Sequence, residues 1–121
     1  MNVFLKMIPA VALVSGAALL AEGYAVPGKN AFEKRCTGCH ALDHEKVGPR
    51  LAGVVGRTTG AVPGFPYSEA AKKSGVIWSE VVLDKWLTDP ESVIPGTDME
   101  FRLDNARERA AIIAYLRETG K

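Results

Sequence analysis

The residues with the most specific chemistry lie in Arg35-Cys36-Thr37-Gly38-Cys39-His40, which holds both cysteines and one of the two histidines of the chain. The Cys-x-x-Cys-His pattern is typical of covalent attachment of a c-type haem. On a helical turn, two thiols three residues apart face the same way, so each can add to one vinyl group of a haem. His40 follows at once, and its imidazole can bind the iron from one side. The motif therefore predicts a haem that still needs a second ligand and a dry pocket.

Two other interpretations of the motif stay open at this point. In an exported protein the two cysteines could form a disulfide, and a redox-active Cys-x-x-Cys is one version of that chemistry. Thioredoxin-type oxidoreductases place the motif beside a strand–helix–strand pattern, however, and this chain shows no convincing strands. A zinc site would use Cys36, Cys39, His40 and His44, although adjacent Cys39 and His40 would struggle to reach one tetrahedral ion.

The second haem ligand has two candidates, Met99 and His44. Met99 is the only methionine beyond the N-terminal segment, and it follows a turn formed by Pro95-Gly96. Asp98 and Glu100 flank it, which is an unusual setting for a methionine that only fills an apolar core. A thioether ligand would favour Fe(II) and raise the reduction potential. We expect His44 to lie at the surface, because it is too close in sequence to the motif histidine to reach the opposite haem face.

The N-terminal segment follows the plan of a secretory signal peptide. Lys6 precedes an apolar run from Ile8 to Ala21, which is shorter than the roughly 20 residues that span a bilayer. We predict a signal peptide over residues 1–25, cleaved after Ala25 or alternatively after Ala21, and one domain over residues 26–121. An uncleaved membrane anchor is the competing interpretation. The formal net charge is +1 and acids and bases alternate, so a nucleic-acid partner is not expected.

Helices are the elements that must position these residues. The predicted helices, with their boundary residues, are Lys29–Arg35, Glu69–Lys73 between Ser68 and Gly75, a helix from Ser79 to Asp89-Pro90, and Asp104–Thr119 closed by Gly120. Asn105 and Glu108 resemble a capping pair at the start of the last helix. Its apolar face is predicted to be Ala106, Ala110, Ile113 and Leu116, with Ile112 and Tyr115 beside it. Glycines 48, 53, 56 and 60 predict an irregular loop that packs close to something flat.

These features together resemble a class I cytochrome c, in the branch shared by mitochondrial cytochrome c and its bacterial periplasmic relatives. The likeness runs from about Gly28 to Thr119. It rests on Cys-x-x-Cys-His, Lys46-Val47-Gly48-Pro49, Gly56-Arg57-Thr58-Thr59-Gly60, Pro63-Gly64-Phe65-Pro66-Tyr67-Ser68, Trp78, Asp89-Pro90, Pro95-Gly96-Thr97-x-Met99 and Ile113-Ala114-Tyr115-Leu116. The resemblance implies an all-α fold of several helices and long loops wrapped around one covalently bound haem c.

The resemblance also implies roles for individual residues. Cys36 and Cys39 would form the thioethers, and His40 and Met99 would be the axial ligands. The Pro49 carbonyl would accept a hydrogen bond from the far nitrogen of His40. Tyr67 and Trp78 would donate to a haem propionate with Arg57 and Thr97 near the same charge, and Phe101 would cover the Met99 side. Phe32 and Tyr115 would mark the crossing of the first and last helices, with Gly28 allowing their close approach.

Some positions depart from the family pattern. Trp86 stands where a tyrosine usually donates a hydrogen bond to the methionine sulfur, so an indole would face the ligand instead. Ala71 replaces an asparagine that usually joins an internal water network. Asp98 and Glu100 flank Met99 where the mitochondrial form has a lysine and an apolar residue. We therefore expect partner docking to be less basic in character than in mitochondrial cytochrome c.

The function implied by the resemblance is one-electron transfer by a soluble, periplasmic, monomeric single-haem carrier that is no enzyme in its own right. Its partners would be redox proteins, such as a membrane quinol-oxidising complex, an oxidase, a reductase or a dehydrogenase. Two alternatives remain open: a haem protein with a labile sixth ligand that binds or senses a small molecule, and a membrane-tethered carrier with a retained N-terminal helix.

Overall fold

The computed structural model describes residue 10 and residues 27–121, and the predicted signal peptide and its cleavage site lie outside this part apart from residue 10. Residues 27–35 are helical and are called α1. The other helices are α2 (Glu69–Ser74), α3 (Glu80–Thr88), α4 (Pro90–Val93) and α5 (Ala106–Glu118). The only strand-like pairing in the described residues is an isolated bridge between Thr58 and Ile77. The predicted all-α class is confirmed.

Side-chain caps begin three of the helices at the residues that the sequence indicated. The Ser68 hydroxyl accepts a hydrogen bond from the backbone N–H of Ala71, and the Ser79 hydroxyl accepts one from Val82. The Asn105 side chain accepts from the N–H of Glu108. Each bond satisfies a backbone donor that has no partner within its own helix, which is why these residues start helices.

The core lies where α1, α3 and α5 meet. The rings of Phe32 and Tyr115 pack with their centroids 5.4 Å apart, and a Cβ at Gly28 would overlap the carbonyl oxygen of Ala111. The absence of a side chain at Gly28 thus lets α1 approach α5 closely, as the resemblance implied. The buried positions of α5 are Ala111, Ile112, Ile113 and Leu116.

Several expectations about the elements are corrected by the structure. Ala106 and Ala110 are exposed, so the apolar face of α5 is rotated from the predicted one, because alanine has too little surface to direct a helix face. The helical residues 27–35 already include Pro27 and Gly28, which precede the predicted range Lys29–Arg35. α4 was not predicted, and it begins directly at Pro90, a favoured first helical residue. α5 is capped by Thr119 in a right-handed conformation and not by Gly120.

Arg109 is the least exposed cation that links two helices, with 12% of its side chain accessible. Its Nε donates to the Asp84 carboxylate of α3 at 2.8 Å, and its Nη1 donates to the carbonyls of Leu103 and Asp104. We expect Arg109→Met to lower the free energy of unfolding of the holoprotein by about 2 kcal/mol, since it leaves the half-exposed Asp84 carboxylate and two backbone carbonyls without a donor.

Urea unfolding measures this loss, and Arg117→Met is the matched control. Arg117 pairs with Glu80 at 2.8 Å, but both side chains are close to half exposed. Exposed ion pairs contribute less than about 1 kcal/mol. Equal losses of unfolding free energy in the two variants would show that the hydrogen bonds of Arg109 contribute no more stability than an exposed ion pair.

A second cross-link ties α1 to α5. The Arg35 guanidinium donates to both carboxylate oxygens of Glu108, at 3.0 and 3.2 Å, so the Glu108 side chain does not complete the predicted capping pair. This pairing holds the pKa of Glu108 below its usual range. A carboxyl whose pKa is lower in the folded state stabilises the fold above its unfolded pKa, and the stabilisation is lost as pH falls through the folded value.

We therefore expect Glu108→Gln to lower stability at neutral pH and to have a diminishing effect below about pH 4, near the ordinary pKa of glutamate. Urea unfolding of the wild type and the variant between pH 7 and pH 3 measures this convergence. A difference that stays constant over that range would contradict the assignment of the pKa shift to Arg35.

Candidate haem site

One cavity of about 360 Å³ lies between the Cys-x-x-Cys-His turn, the loop that follows it, α3 and the segment around Met99. The structure brings to this cavity every residue that the sequence analysis assigned to the haem site. These are Cys36, Cys39, His40, Pro49, Arg57, Tyr67, Trp78, Trp86, Thr97, Met99 and Phe101. Residues separated by more than sixty positions in sequence thus line the same cavity.

The two cysteines sit on a turn that continues α1. The backbone N–H of Cys36 donates to the Phe32 carbonyl at 2.8 Å, and the N–H of His40 donates to the Cys36 carbonyl at 2.9 Å. These bonds keep the motif helical in character, so that both thiols reach the same cavity. Burial raises the pKa of the Cys36 thiol to about 11. The thiol is therefore uncharged at neutral pH in the free chain.

The alternatives of a disulfide and of zinc find little support in this geometry. Cys36 and Cys39 are both free thiols, and the raised pKa of Cys36 is opposite to that of a reactive redox cysteine. The His44 ring lies 2.7 Å from the Asp43 carboxylate and its side chain is 63% exposed, so the expected surface position of His44 is confirmed. Within residue 10 and residues 27–121, no group of three or more His, Cys, Asp or Glu side chains could hold a metal ion.

The hydrogen bond between His40 Nδ1 and the Pro49 carbonyl, 2.8 Å long, defines the state of the imidazole. A carbonyl can only accept, so Nδ1 carries the hydrogen. Burial lowers the pKa of His40, opposed by this hydrogen bond and aided by the positive charge of Lys46. The ring is therefore neutral at neutral pH, and its other nitrogen keeps the lone pair that a metal ligand needs.

Gly48 fits against the His40 ring because it has no side chain. A Cβ at this position would overlap the imidazole carbons and nitrogens, and its N–H donates to the Cys39 carbonyl at 2.8 Å. The backbone at Gly48 thus closes one side of the imidazole, while Pro49 holds it by the hydrogen bond. Together they leave His40 little freedom to rotate.

Met99 lines the same cavity from a loop that two hydrogen bonds brace. The Glu91 carboxylate accepts a hydrogen bond from the N–H of Gly96 at 2.9 Å, and Gly96 has the positive φ of 80° that this turn requires. The Thr97 hydroxyl is 3.4 Å from the N–H of Met99. Glu91 was not predicted as part of the site, because no spacing rule links a carboxylate to a glycine five residues later.

Polar side chains of the cavity have hydrogen-bond donors that no acceptor among the described residues uses. The Tyr67 hydroxyl accepts from the N–H of Val62 at 3.0 Å, which leaves its own O–H free to donate. Within the described part of the chain, the Trp78 indole N–H has no acceptor. Arg57 donates to the carbonyls of Arg50 and Ala52, and burial lowers the pKa of its guanidinium. The partly desolvated Arg57 cation and the free donors of Tyr67 and Trp78 together suit a buried carboxylate.

The remaining walls are apolar. Trp78 and Trp86 pack edge to face with centroids 4.9 Å apart, so Trp86 is held by a second indole beside the cavity. The aliphatic lining, which the sequence analysis did not assign to the site, comprises Val47, Leu51, Val54, Leu83, Leu87, Ile94, Ile112 and Leu116. Two thiols, a neutral imidazole, a thioether, apolar walls and a polar end match the groups of a haem, so the residues present fit this cofactor.

Comparisons with known proteins point to one family. A family model described as Cytochrome c matches residues 25–120. The chain is 47% identical over 103 residues to cytochrome c type-1 of Ascaris suum, which covers 83% of this chain and 92% of that protein. It is 45% identical over 109 residues to cytochrome c2 of Rhodomicrobium vannielii, covering 87% of this chain and 86% of the relative. Among solved structures it resembles cytochrome cH from Methylobacterium extorquens, with a TM-score of 0.73, 40% identity and coverage of 78% and 97% of the two chains.

Proposed function

Because this chain belongs to the cytochrome c family, we infer that it is a single-haem electron carrier with one covalently bound haem c. The observation that carries this conclusion is that both thiols of the motif, His40 and Met99 line one cavity. The haem supplies the one-electron chemistry when bound, and the protein supplies attachment, ligation and burial.

We propose that Cys36 and Cys39 hold the haem through thioethers and that His40 and Met99 are the axial ligands. The neutral His40 ring, held by the Pro49 carbonyl, supports the first ligand. The braced loop from Gly96 to Met99 supports the second. Two axial ligands from the protein would leave no open coordination position, which favours electron transfer over chemistry on a bound substrate. On this basis we propose that the protein is no enzyme in its own right.

We further propose that the polar end of the cavity receives the haem propionates. Tyr67 and Trp78 would donate hydrogen bonds, with Arg57 and Thr97 close to the same charge. Arg57 is partly desolvated, so a nearby carboxylate would compensate for the hydration that its guanidinium has lost. Trp86 and Phe101 would complete the apolar cover on the Met99 side.

The cellular setting is proposed from the N-terminal pattern and from the relatives. The apolar segment of residues 8–21 supports export to the periplasm after cleavage of residues 1–25. Within the described residues, no helix has the length and hydropathy needed to cross a bilayer. The partners would be redox proteins such as a membrane quinol-oxidising complex, an oxidase, a reductase or a dehydrogenase, met by a monomeric carrier.

A visible spectrum combined with a potentiometric titration of the purified protein tests this function. We expect a haem that resists acid extraction, because it is covalently attached, and a reversible one-electron transition. The reduced protein should not bind carbon monoxide, because both axial positions are occupied. Ready binding of carbon monoxide by the reduced wild type would instead favour the alternative of a labile sixth ligand.

A further inference from the structure

The mouth of the cavity carries both apolar and charged surface. Val47 lines the cavity and is 78% exposed, which is the largest exposure among the large hydrophobic residues described. Asp98 and Glu100 also line the cavity and are exposed. Exposed lining residues of the cavity therefore include a valine and two carboxylates, and a bound haem would exchange electrons beside them.

With a haem held between His40 and Met99, these groups would lie on different sides of its plane, a step that rests on the proposed function. His40 and Met99 would bind opposite faces of the iron. Val47 precedes Gly48, which packs on the His40 ring, and Asp98 and Glu100 flank Met99 directly. The border is thus apolar on the histidine side and acidic on the methionine side.

The histidine side also carries a fixed positive charge. The ammonium of Lys46, next to Val47, donates to the carbonyl of Thr37 within the Cys-x-x-Cys-His turn. The nearby Arg35 is already paired with Glu108. Among the described residues Lys46 has no carboxylate within 4.0 Å, so it remains available to a partner.

The two carboxylates on the methionine side are not neutralised within the protein. Among residue 10 and residues 27–121, neither Asp98 nor Glu100 has a cationic group within 4.0 Å. Arg102, the cation nearest in sequence, pairs with Asp89 at 3.0 Å. Their field therefore extends into solvent, over a distance set by the ionic strength.

We propose that a redox protein docks over this mouth with basic side chains opposite Asp98 and Glu100, an apolar contact on Val47 and an acidic group opposite Lys46. The separated charges set the orientation of the partner, while the apolar contact excludes water near the haem edge. A protein surface fits this arrangement better than a single cation, because the described residues form no group of acids that could hold a metal ion.

Electron transfer to small inorganic reagents measures the local charge at the mouth. Ferricyanide is anionic and takes one electron from the reduced protein to become ferrocyanide. Hexaammineruthenium(II) is cationic and gives one electron to the oxidised protein to become hexaammineruthenium(III). We expect Asp98→Asn and Glu100→Gln each to accelerate the ferricyanide reaction about fivefold at 10 mM ionic strength and to slow the ruthenium reaction. The effects should vanish near 1 M salt, where the Debye length is about 3 Å.

Glu118→Gln is the matched control, because it removes the same charge from an exposed carboxylate that does not line the cavity. If its effect on both reagents equals that of the mouth variants, only net charge matters and the docking proposal is overturned. If the wild type exchanges electrons with neither reagent, the proposed function itself fails, and the docking surface falls with it.

Binding without electron transfer provides a second readout. A short oligolysine peptide, which stands in for a basic partner surface, should shift the backbone amide NMR signals of residues 97–101 in the ¹⁵N-labelled holoprotein. The shifts should weaken in the Asp98→Asn, Glu100→Gln double variant and persist in Glu118→Gln. Shifts spread over the whole surface, or unchanged in the double variant, would refute a basic partner at this site.

Discussion

Replacement of Met99 by alanine should leave the haem attached but change its ligation completely. The oxidised wild type should show the weak far-red band of sulfur-to-iron charge transfer, and the variant should lose it. The reduction potential should fall by on the order of 100 mV or more, since a thioether ligand favours Fe(II) and axial ligands span about 0.8 V. The reduced variant should also bind carbon monoxide, because one axial position is open.

Met99→Leu separates ligation from packing. Met99 is partly buried against the core, so a methionine that only fills space could be replaced by leucine at a cost below about 1.5 kcal/mol. We expect the leucine variant to keep most of its stability in urea and yet to lose the far-red band and bind carbon monoxide. Retention of the band in Met99→Leu would exclude Met99 as the ligand.

Replacement of Gly48 by alanine should disrupt the opposite side of the site. The new Cβ would overlap the His40 ring, so either the imidazole or the backbone at Gly48 must move. Movement of the ring would break the hydrogen bond to Pro49. Overpacking of this kind costs about 3 kcal/mol, and we expect a loss of that size in urea unfolding of the holoprotein. Added imidazole should also displace a protein ligand of the haem more easily in the variant than in the wild type.

Gly38→Ala is the matched control for this substitution. Gly38 lies within the Cys-x-x-Cys-His motif, but a Cβ there would meet no atom within 4 Å. The control should therefore unfold close to the wild-type urea concentration. If both alanine variants were equally stable, the close contact between Gly48 and the imidazole would not constrain the site.

Local patterns in the sequence were sufficient for the elements and for the haem-binding turn. The spacing of Cys36, Cys39 and His40 identifies covalent haem chemistry, because the three groups must meet one macrocycle on one turn. Ser68, Ser79 and Asn105 mark helix starts, since each cap acts within three residues of itself. These interactions are short in sequence, so the order of residues alone determines them.

The site as a whole depended on contacts between distant segments. The Pro49 contact and the roles of Met99, Tyr67 and Trp78 followed from the family resemblance and not from spacing, and the cavity that collects them appears only in the folded chain. The Glu91 brace and the aliphatic walls were missed, because neither carries a local pattern.

The sequence by itself determined the family, the haem motif and most helix boundaries, since these depend on the chemistry of neighbouring residues. Only the tertiary structure decided which face of α5 is buried, that Glu108 binds Arg35 and that Gly48 closes on His40. It also decided that Asp98 and Glu100, which line the cavity, have no cationic group within 4.0 Å in residue 10 and residues 27–121. The physical reason is that packing and charge pairing act between groups that are close in space, whatever their separation along the chain.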